Sequence, residues 1–172
     1  MQASDPTAKL GKGFAWIAWM LVLGMIYLFF QDHLDTQQNP NQQLQSSVGA
    51  AGEKRVVLMA NRHGHYVGTL LLNGQPVEFL LDTGATMVAV SAEVAKRSGM
   101  IQGPAYQTAT ANGITTAYRS QINELKLGEI VLRDLRASIV PNLAGSEILL
   151  GMSALKHLEF AQQANQLELI QP

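Results

Sequence analysis

Phe79-Leu80-Leu81-Asp82-Thr83-Gly84-Ala85-Thr86 is the stretch on which the reading of this chain turns. Three apolar residues run straight into an acid, and a carboxylate leaving a buried strand must find hydrogen-bond partners or take up a proton. The residues that follow can supply partners. Gly84 lets the backbone turn tightly and bring N–H groups up to the carboxylate, and the hydroxyls of Thr83 and Thr86 can donate or accept nearby. Two such loops facing each other would hold two carboxyls within hydrogen-bond reach. The pair cannot both ionise, so one serves as base and the other as acid. A pair of that kind activates a water against a peptide carbonyl and protonates the departing amine with no metal or cofactor. The same residues also suit an Asp that only caps the turn into the next segment, and on this stretch alone both readings stand.

Around this stretch the chain reads as β structure. Short apolar runs at 56–59, 66–72 and 77–81 are separated by Gly, Asn and Pro. Asn73-Gly74, between the second and third runs, is the preferred pair for a two-residue hairpin in which both positions need positive φ. Leu70, Leu71, Leu72 and Phe79, Leu80, Leu81 are continuous rather than alternating, as expected of strands covered on both faces. A short helix is expected over 91–98, with Ser91 as cap and Gly99 as stop. Asn112-Gly113 marks a second hairpin. Further strands are expected at 122–127, 130–132, 137–140, 148–150 and 167–170, with a short helix over 153–157. Leu132-Arg133-Asp134-Leu135 reads as a solvated turn between two of them. The fold class is therefore a small all-β domain with one or two short helices.

Residues 13–30 carry no charge and as a helix would run about 27 Å, long enough to span a bilayer. Lys9 and Lys12 precede the span, and Asp32 and Asp35 follow it. The positive-inside rule then puts residues 1–12 in the cytoplasm and the rest of the chain on the far side. The exit from the span has no small-x-small cleavage site close behind it, so an anchor is preferred to a cleaved signal peptide. Residues 31–53 are dominated by Gln, Asn, Ser, Gly and Ala and read as a flexible polar linker. Residues 54–172, 119 in all, are left for the folded domain.

Composition narrows the functions open to that domain. The chain has no cysteine, which excludes disulfides, zinc ribbons and thiol nucleophiles. Within 54–172 ten Lys and Arg face nine Asp and Glu, so there is no field to recruit nucleic acid. His63-Gly64-His65 could set two imidazoles on one strand face, but without a third ligand nearby the segment reads as a solvated strand entry. Ser91 and Ser153 lack a Gly-x-Ser-x-Gly setting, which disfavours a serine hydrolase. No metal or cofactor is expected.

Several separate motifs, in order along residues 78–171, resemble the retropepsin-like aspartic proteases, and in particular the single-domain, membrane-anchored bacterial type. They are the stretch from Phe79 to Thr86, then Thr110-Ala111-Asn112-Gly113, and Ile148-Leu149-Leu150-Gly151-Met152-Ser153-Ala154-Leu155. Gly64-His65-Tyr66 and Asn73-Gly74 also look like that family. The resemblance implies a small closed barrel-like acid-protease domain behind one transmembrane helix. It makes Asp82 the catalytic aspartate, Thr83 the residue whose hydroxyl locks two active-site loops together, and Gly84 a backbone donor to carboxylate or substrate, with Ala85 and Thr86 completing the loop. Ala111, Asn112 and Gly113 would form the flap over bound peptide. Leu149, Leu150 and Gly151 would support the active-site loop from behind.

One Asp-Thr-Gly in 119 residues is half of a two-carboxyl site, so the mechanism itself asks for a symmetric homodimer. The expected partners are a second copy, a peptide or protein substrate and the membrane, with no nucleic acid. Topology and resemblance together place the protein in a bacterial inner membrane with its domain in the periplasm. The rival reading keeps the fold as an inactive peptide-binding or dimerisation module.

Overall fold

The structure, a computed structural model, describes residues 6–110, 113–143 and 148–172. It begins with α1, Pro6–Gln38, a single helix of 33 residues. From Gly13 to Gln38 this helix is long and apolar enough to cross a membrane, a property that signal sequences share. Its side chains from Phe14 to Phe30 are all exposed, including Trp16, Trp19 and Phe29. The helix is one compact unit, and the chain from Gln38 to Pro172 is a second.

The second unit is built from strands β1 (Gln45–Val48), β2 (Lys54–Met59), β3 (Val67–Leu72), β4 (Gln75–Leu81) and β5 (Val88–Val90), followed by helix α2 (Ala92–Arg97). Strands β6 (Ala105–Thr110), β7 (Gly113–Leu127), β8 (Ile130–Ile139) and β9 (Ile148–Leu150) come next. Helix α3 (Met152–Leu155) and strands β10 (Glu159–Gln163) and β11 (Gln166–Gln171) end the chain. Six strands, in the order β3-β4-β9-β5-β8-β7, close into a barrel because β7 also pairs with β3. The closing seam consists of two residue pairs, Leu71 with Lys126 and Leu72 with Leu125. Among the described residues strand β6 pairs only with β7, so the β6–β7 hairpin stands outside the closed ring. A separate antiparallel sheet has the order β1-β2-β11-β10.

Local sequence accounts for most of these elements. Asn73 (φ 49°) and Gly74 (φ 81°) both take positive φ between β3 and β4, as the Asn-Gly signal requires. Ser91 caps α2, its hydroxyl accepting the Val94 N–H at 3.2 Å. The core joins both sheets: Val56, Leu58, Leu167 and Leu169 from the four-stranded sheet pack in one buried cluster with Leu70, Phe79, Ile122 and Leu150 from the barrel. Phe79 is completely buried, worth about 1.5–3 kcal/mol for a side chain of that size.

Two expectations are corrected and one strand is added. The linker expected over 31–53 is largely structured: α1 runs on to Gln38, and β1 pairs with β2 along Gln45–Val48. Asn39 and Asn41 are buried within the domain. Asn41 explains how a polar segment packs there. Its Nδ2 donates to the carbonyls of Met59 (2.9 Å) and Val67 (2.6 Å), and its Oδ1 accepts the Met59 N–H at 2.7 Å. Next, 132–135 is not a turn. β8 runs unbroken through it, Asp134 takes φ 54° within the strand, and the pairing with β7 keeps its register on both sides. Finally, Glu159–Gln163, unassigned in the sequence, is strand β10, held by its antiparallel pairing to β11.

Candidate active site

Asp82 is the first residue beyond β4, and the strand places it. β4 lies parallel to β9, with Leu80 opposite Leu149 and Leu81 opposite Leu150. The Asp82 N–H continues that ladder to the Leu150 carbonyl at 3.2 Å, while the Leu81 N–H donates to Tyr66 at 2.9 Å. The chain then reverses. The Ala85 N–H reaches back to the Asp82 carbonyl at 3.2 Å, and the Gly84 N–H donates to the Asp82 carboxylate Oδ1 at 2.8 Å. That second bond orients the carboxyl and is also the bond a turn-capping Asp makes. Asp82 is half-buried, and Thr83, Gly84 and Thr86 are exposed. Ala85 is half-buried.

Behind the loop runs the segment after β9. Met152 N–H donates to the Ala85 carbonyl (2.8 Å) and Ser153 N–H to the Thr86 carbonyl (3.0 Å). Gly151 makes this approach possible: a Cβ there would collide with the carbonyl oxygens of Met87 and Ala85. Ser153 adds a bridge that sequence reasoning missed. Its buried hydroxyl accepts the Val88 N–H at 2.9 Å and donates to the Arg136 carbonyl at 2.8 Å, tying β5 to β8. The local sequence does not mark that role, because both partners lie far from Ser153 in the chain.

The two hairpin residues Ala111 and Asn112 lie outside the described residues. Gly113 is described; it pairs with Thr110 at the end of the β6–β7 ladder. At the base of the hairpin, Tyr106 packs with Leu143 and Leu149 against buried Ala89, Ala117 and Val140. Its hydroxyl shares a 2.7 Å hydrogen bond with Ser138 on β8, and the Arg119 guanidinium lies 5.8 Å from the centre of its ring.

A cavity of about 410 Å³ borders the loop. Asp82 and Thr83 line it on one side, and Tyr66, Leu155, Phe160 and Gln162 on others. The last two come from β10, the strand that the sequence did not reveal. The rings of His63 and His65 are 6.4 Å apart, and among the described residues no group of three His, Asp or Glu could hold a metal ion.

A closed six-stranded barrel with one Asp-Thr-Gly loop at the end of a strand, backed by an apolar-apolar-glycine strand, defines the class of retropepsin-like aspartic proteases. Residues 69–157, just over half of the chain, match the family described as "gag-polyprotein putative aspartyl protease", and the chain belongs to it. It is 33% identical over 116 residues to an uncharacterized protein in the cobV 5′ region of Sinorhizobium sp., covering 64% of this chain and 49% of that one. The chain thus spans about half the length of this curated relative. Its fold is similar to the crystal structure of a retropepsin-like aspartic protease from Rickettsia conorii, with TM-score 0.57 and 24% identity over 74% of this chain and 95% of the other. EIAV protease complexed with an inhibitor aligns with TM-score 0.44 and 20% identity over 54% of this chain and 86% of that one.

Proposed function

We propose that this protein is a membrane-anchored aspartic endopeptidase that acts as a homodimer, with Asp82 of each copy supplying one carboxyl. The observation that carries this reading is the held carboxyl: Asp82 Oδ1 accepts the Gly84 N–H at 2.8 Å on a loop whose next two carbonyls are braced by Met152 and Ser153. A group fixed in this way loses little freedom when it meets its counterpart, which favours preorganised acid–base chemistry.

With one proton shared between the two carboxyls, the ionised one takes a proton from water as its oxygen attacks the scissile carbonyl carbon. The protonated one gives its proton to the carbonyl oxygen. Collapse of the resulting gem-diol breaks the C–N bond, and a proton passes to the leaving amine. One water is consumed, and the products are an acid and an amine. Thr83 locks the two loops together and Gly84 presents its backbone to carboxylate or substrate. Leu149, Leu150 and Gly151 support the loop, and the hairpin with Ala111, Asn112 and Gly113 at its tip closes over the peptide. Residues 13–30 anchor the protein in a bacterial inner membrane, with the N-terminus cytoplasmic and the domain periplasmic. Sharing one membrane raises the effective concentration of the two halves.

The test is the full chain in membranes against a peptide library, wild type beside Asp82→Asn. Cleavage that disappears in Asp82→Asn while the β-sheet circular dichroism is kept supports the reading. Wild type and variant that cannot be told apart in cleavage would leave an inactive peptide-binding or dimerisation module as the function of the fold.

A further inference from the structure

The barrel ladders set one row of side chains on the face that carries Asp82. Leu80 stands opposite Leu149, Leu149 opposite Ala89, Ala89 opposite Ser138, and Ser138 opposite Arg119. Directly opposed residues share a face of a sheet, and so do residues two apart along a strand. Asp82, two residues beyond Leu80, joins this face because its N–H continues the β4–β9 ladder. Arg136, two residues before Ser138, joins it on β8. Burial agrees with the division: Val88, Ile148 and Leu150 fill the main core, whereas Ala89 and Leu149 belong to the smaller cluster with Tyr106.

Arg119 and Arg136 are both exposed, and they are diagonal neighbours across the β7–β8 ladder, since Arg119 faces Ser138 and Gln121 faces Arg136. Such residues stand about 7–8 Å apart, within reach of two long side chains. Among the described residues neither guanidinium pairs with a carboxylate; the ion pairs there are made by Arg55 and Arg133. Asp134, two residues before Arg136, accepts the Gln121 amide at 3.2 Å and offsets only part of the charge of the two arginines. Arg119 is also held in place. Its guanidinium lies 5.8 Å from the centre of the Tyr106 ring, and Tyr106 is fixed in turn by its 2.7 Å bond to Ser138. The Arg119 N–H donates to the Pro104 carbonyl at 3.0 Å, and its carbonyl accepts the Gly103 N–H at 2.8 Å.

We propose that Arg119 and Arg136 form a subsite that takes an acidic side chain, Asp or Glu, of the peptide being cut. This rests on the reading of the protein as a peptidase that acts through Asp82. Strands β4, β9, β5 and β8 are neighbours in that order. Three strand spacings of about 4.8 Å place β8 roughly 14 Å from β4 around the ring, and an extended peptide advances about 3.3 Å per residue. The acidic residue therefore lies about four residues from the scissile bond, beside the base of the β6–β7 hairpin. There the two guanidinium groups offer planar forks of donors that a carboxylate can fill and a neutral side chain cannot match.

The test is the cleavage profile of the full chain in membranes on a random-sequence peptide library, read by mass spectrometry. Wild type is expected to enrich Asp or Glu about tenfold at one position about three to five residues from the cut, since each exposed ion pair contributes up to about fivefold. Arg119→Glu combined with Arg136→Glu is expected to reverse the choice to Lys or Arg at that same position, a gain that a misfolded protein cannot give. Arg119→Gln combined with Arg136→Gln should abolish the enrichment. No acidic enrichment by wild type, or the same enrichment after charge reversal, overturns the subsite while the cleavage itself upholds the protease reading. If wild type cuts nothing, fluorescence anisotropy with labelled peptides that differ only in Glu against Gln decides. Tighter binding of the Glu peptide, lost on charge reversal, keeps the subsite and rejects the protease reading. Equal binding of the two peptides overturns both.

Discussion

The carbonyl oxygen of Ala85 accepts the Met152 N–H at 2.8 Å and lies 2.6 Å from where a Cβ on Gly151 would stand. The loop carrying Asp82 and the strand behind it are thus packed backbone to backbone, with no space for even a methyl group.

Gly151→Ala is accordingly expected to destabilise the domain by about 1–3 kcal/mol or more, the range for overpacking a tight site. Urea denaturation of the full chain measures this. A stability within error of wild type would mean that the loop shifts without cost.

Ser153→Ala removes a hydroxyl that satisfies two backbone groups, the Val88 N–H and the Arg136 carbonyl. The expected loss is about 1–3 kcal/mol per orphaned buried group. Ser153→Thr keeps the hydroxyl and adds a methyl to a buried site, so a smaller loss than Ala would show that the hydrogen bonds dominate over packing.

The same hydroxyl marks a boundary of what the sequence can tell. Turn and cap chemistry is local, so Asn73-Gly74, Ser91 and the Asp82 loop could be read directly. Polar residues whose worth lies in distant partners could not. Asn39 and Asn41 sit in a run that hydropathy reads as linker, yet Asn41 is buried by bonds to Met59 and Val67. The Glu-Phe-Ala-Gln-Gln of β10 has no apolar alternation, and only its pairing with β11 makes it a strand. Asp134 looked like a turn residue because its left-handed φ is a local preference of Asp, here absorbed inside a long strand.

Asn41→Ala is expected to loosen the segment between α1 and β1. It orphans the Met59 N–H and takes a donor from two carbonyls, for a loss of about 1–3 kcal/mol for each buried group left unsatisfied. Protease nicking between Asn39 and Gln45 should become faster than in wild type. An unchanged nicking rate would show that β1 alone holds the segment.

Tyr106→Phe deletes the hydroxyl bonded to Ser138 but keeps the ring against Ala117 and Leu149. Amide exchange in β6 is expected to speed up while the barrel strands β4 and β9 keep their protection. Equal acceleration across the barrel would mean that the bond supports the whole fold instead of the hairpin.

Glu53 supplies a pH-dependent increment. A hydrogen bond from its own backbone N–H, with further help from Arg55 and the Ala51 N–H, holds its carboxyl below the usual carboxylate range. A folded-state value below the unfolded one gives stability that is present above the unfolded value and lost as pH falls through the folded one. Glu53→Gln should therefore flatten the acid limb of the stability profile and leave the alkaline side unchanged. Parallel profiles for the two proteins would rule out this contribution.

Asn73, besides forming the β3–β4 turn, donates its N–H to the Glu124 carbonyl at 2.8 Å and accepts the Asn123 and Glu124 N–H groups on its Oδ1 at 3.1 Å. It is a clasp beside the two-pair seam where β3 meets β7. β3 pairs with β4 through a tight turn, but its pairing with β7 joins residues far apart in sequence, and such contacts are slow to form. Until β7 arrives, the Leu71–Leu72 end of β3 lacks its second barrel neighbour, and an unpaired strand edge is a template for aggregation. Asn73 fastens that pairing across a separation of 51 residues.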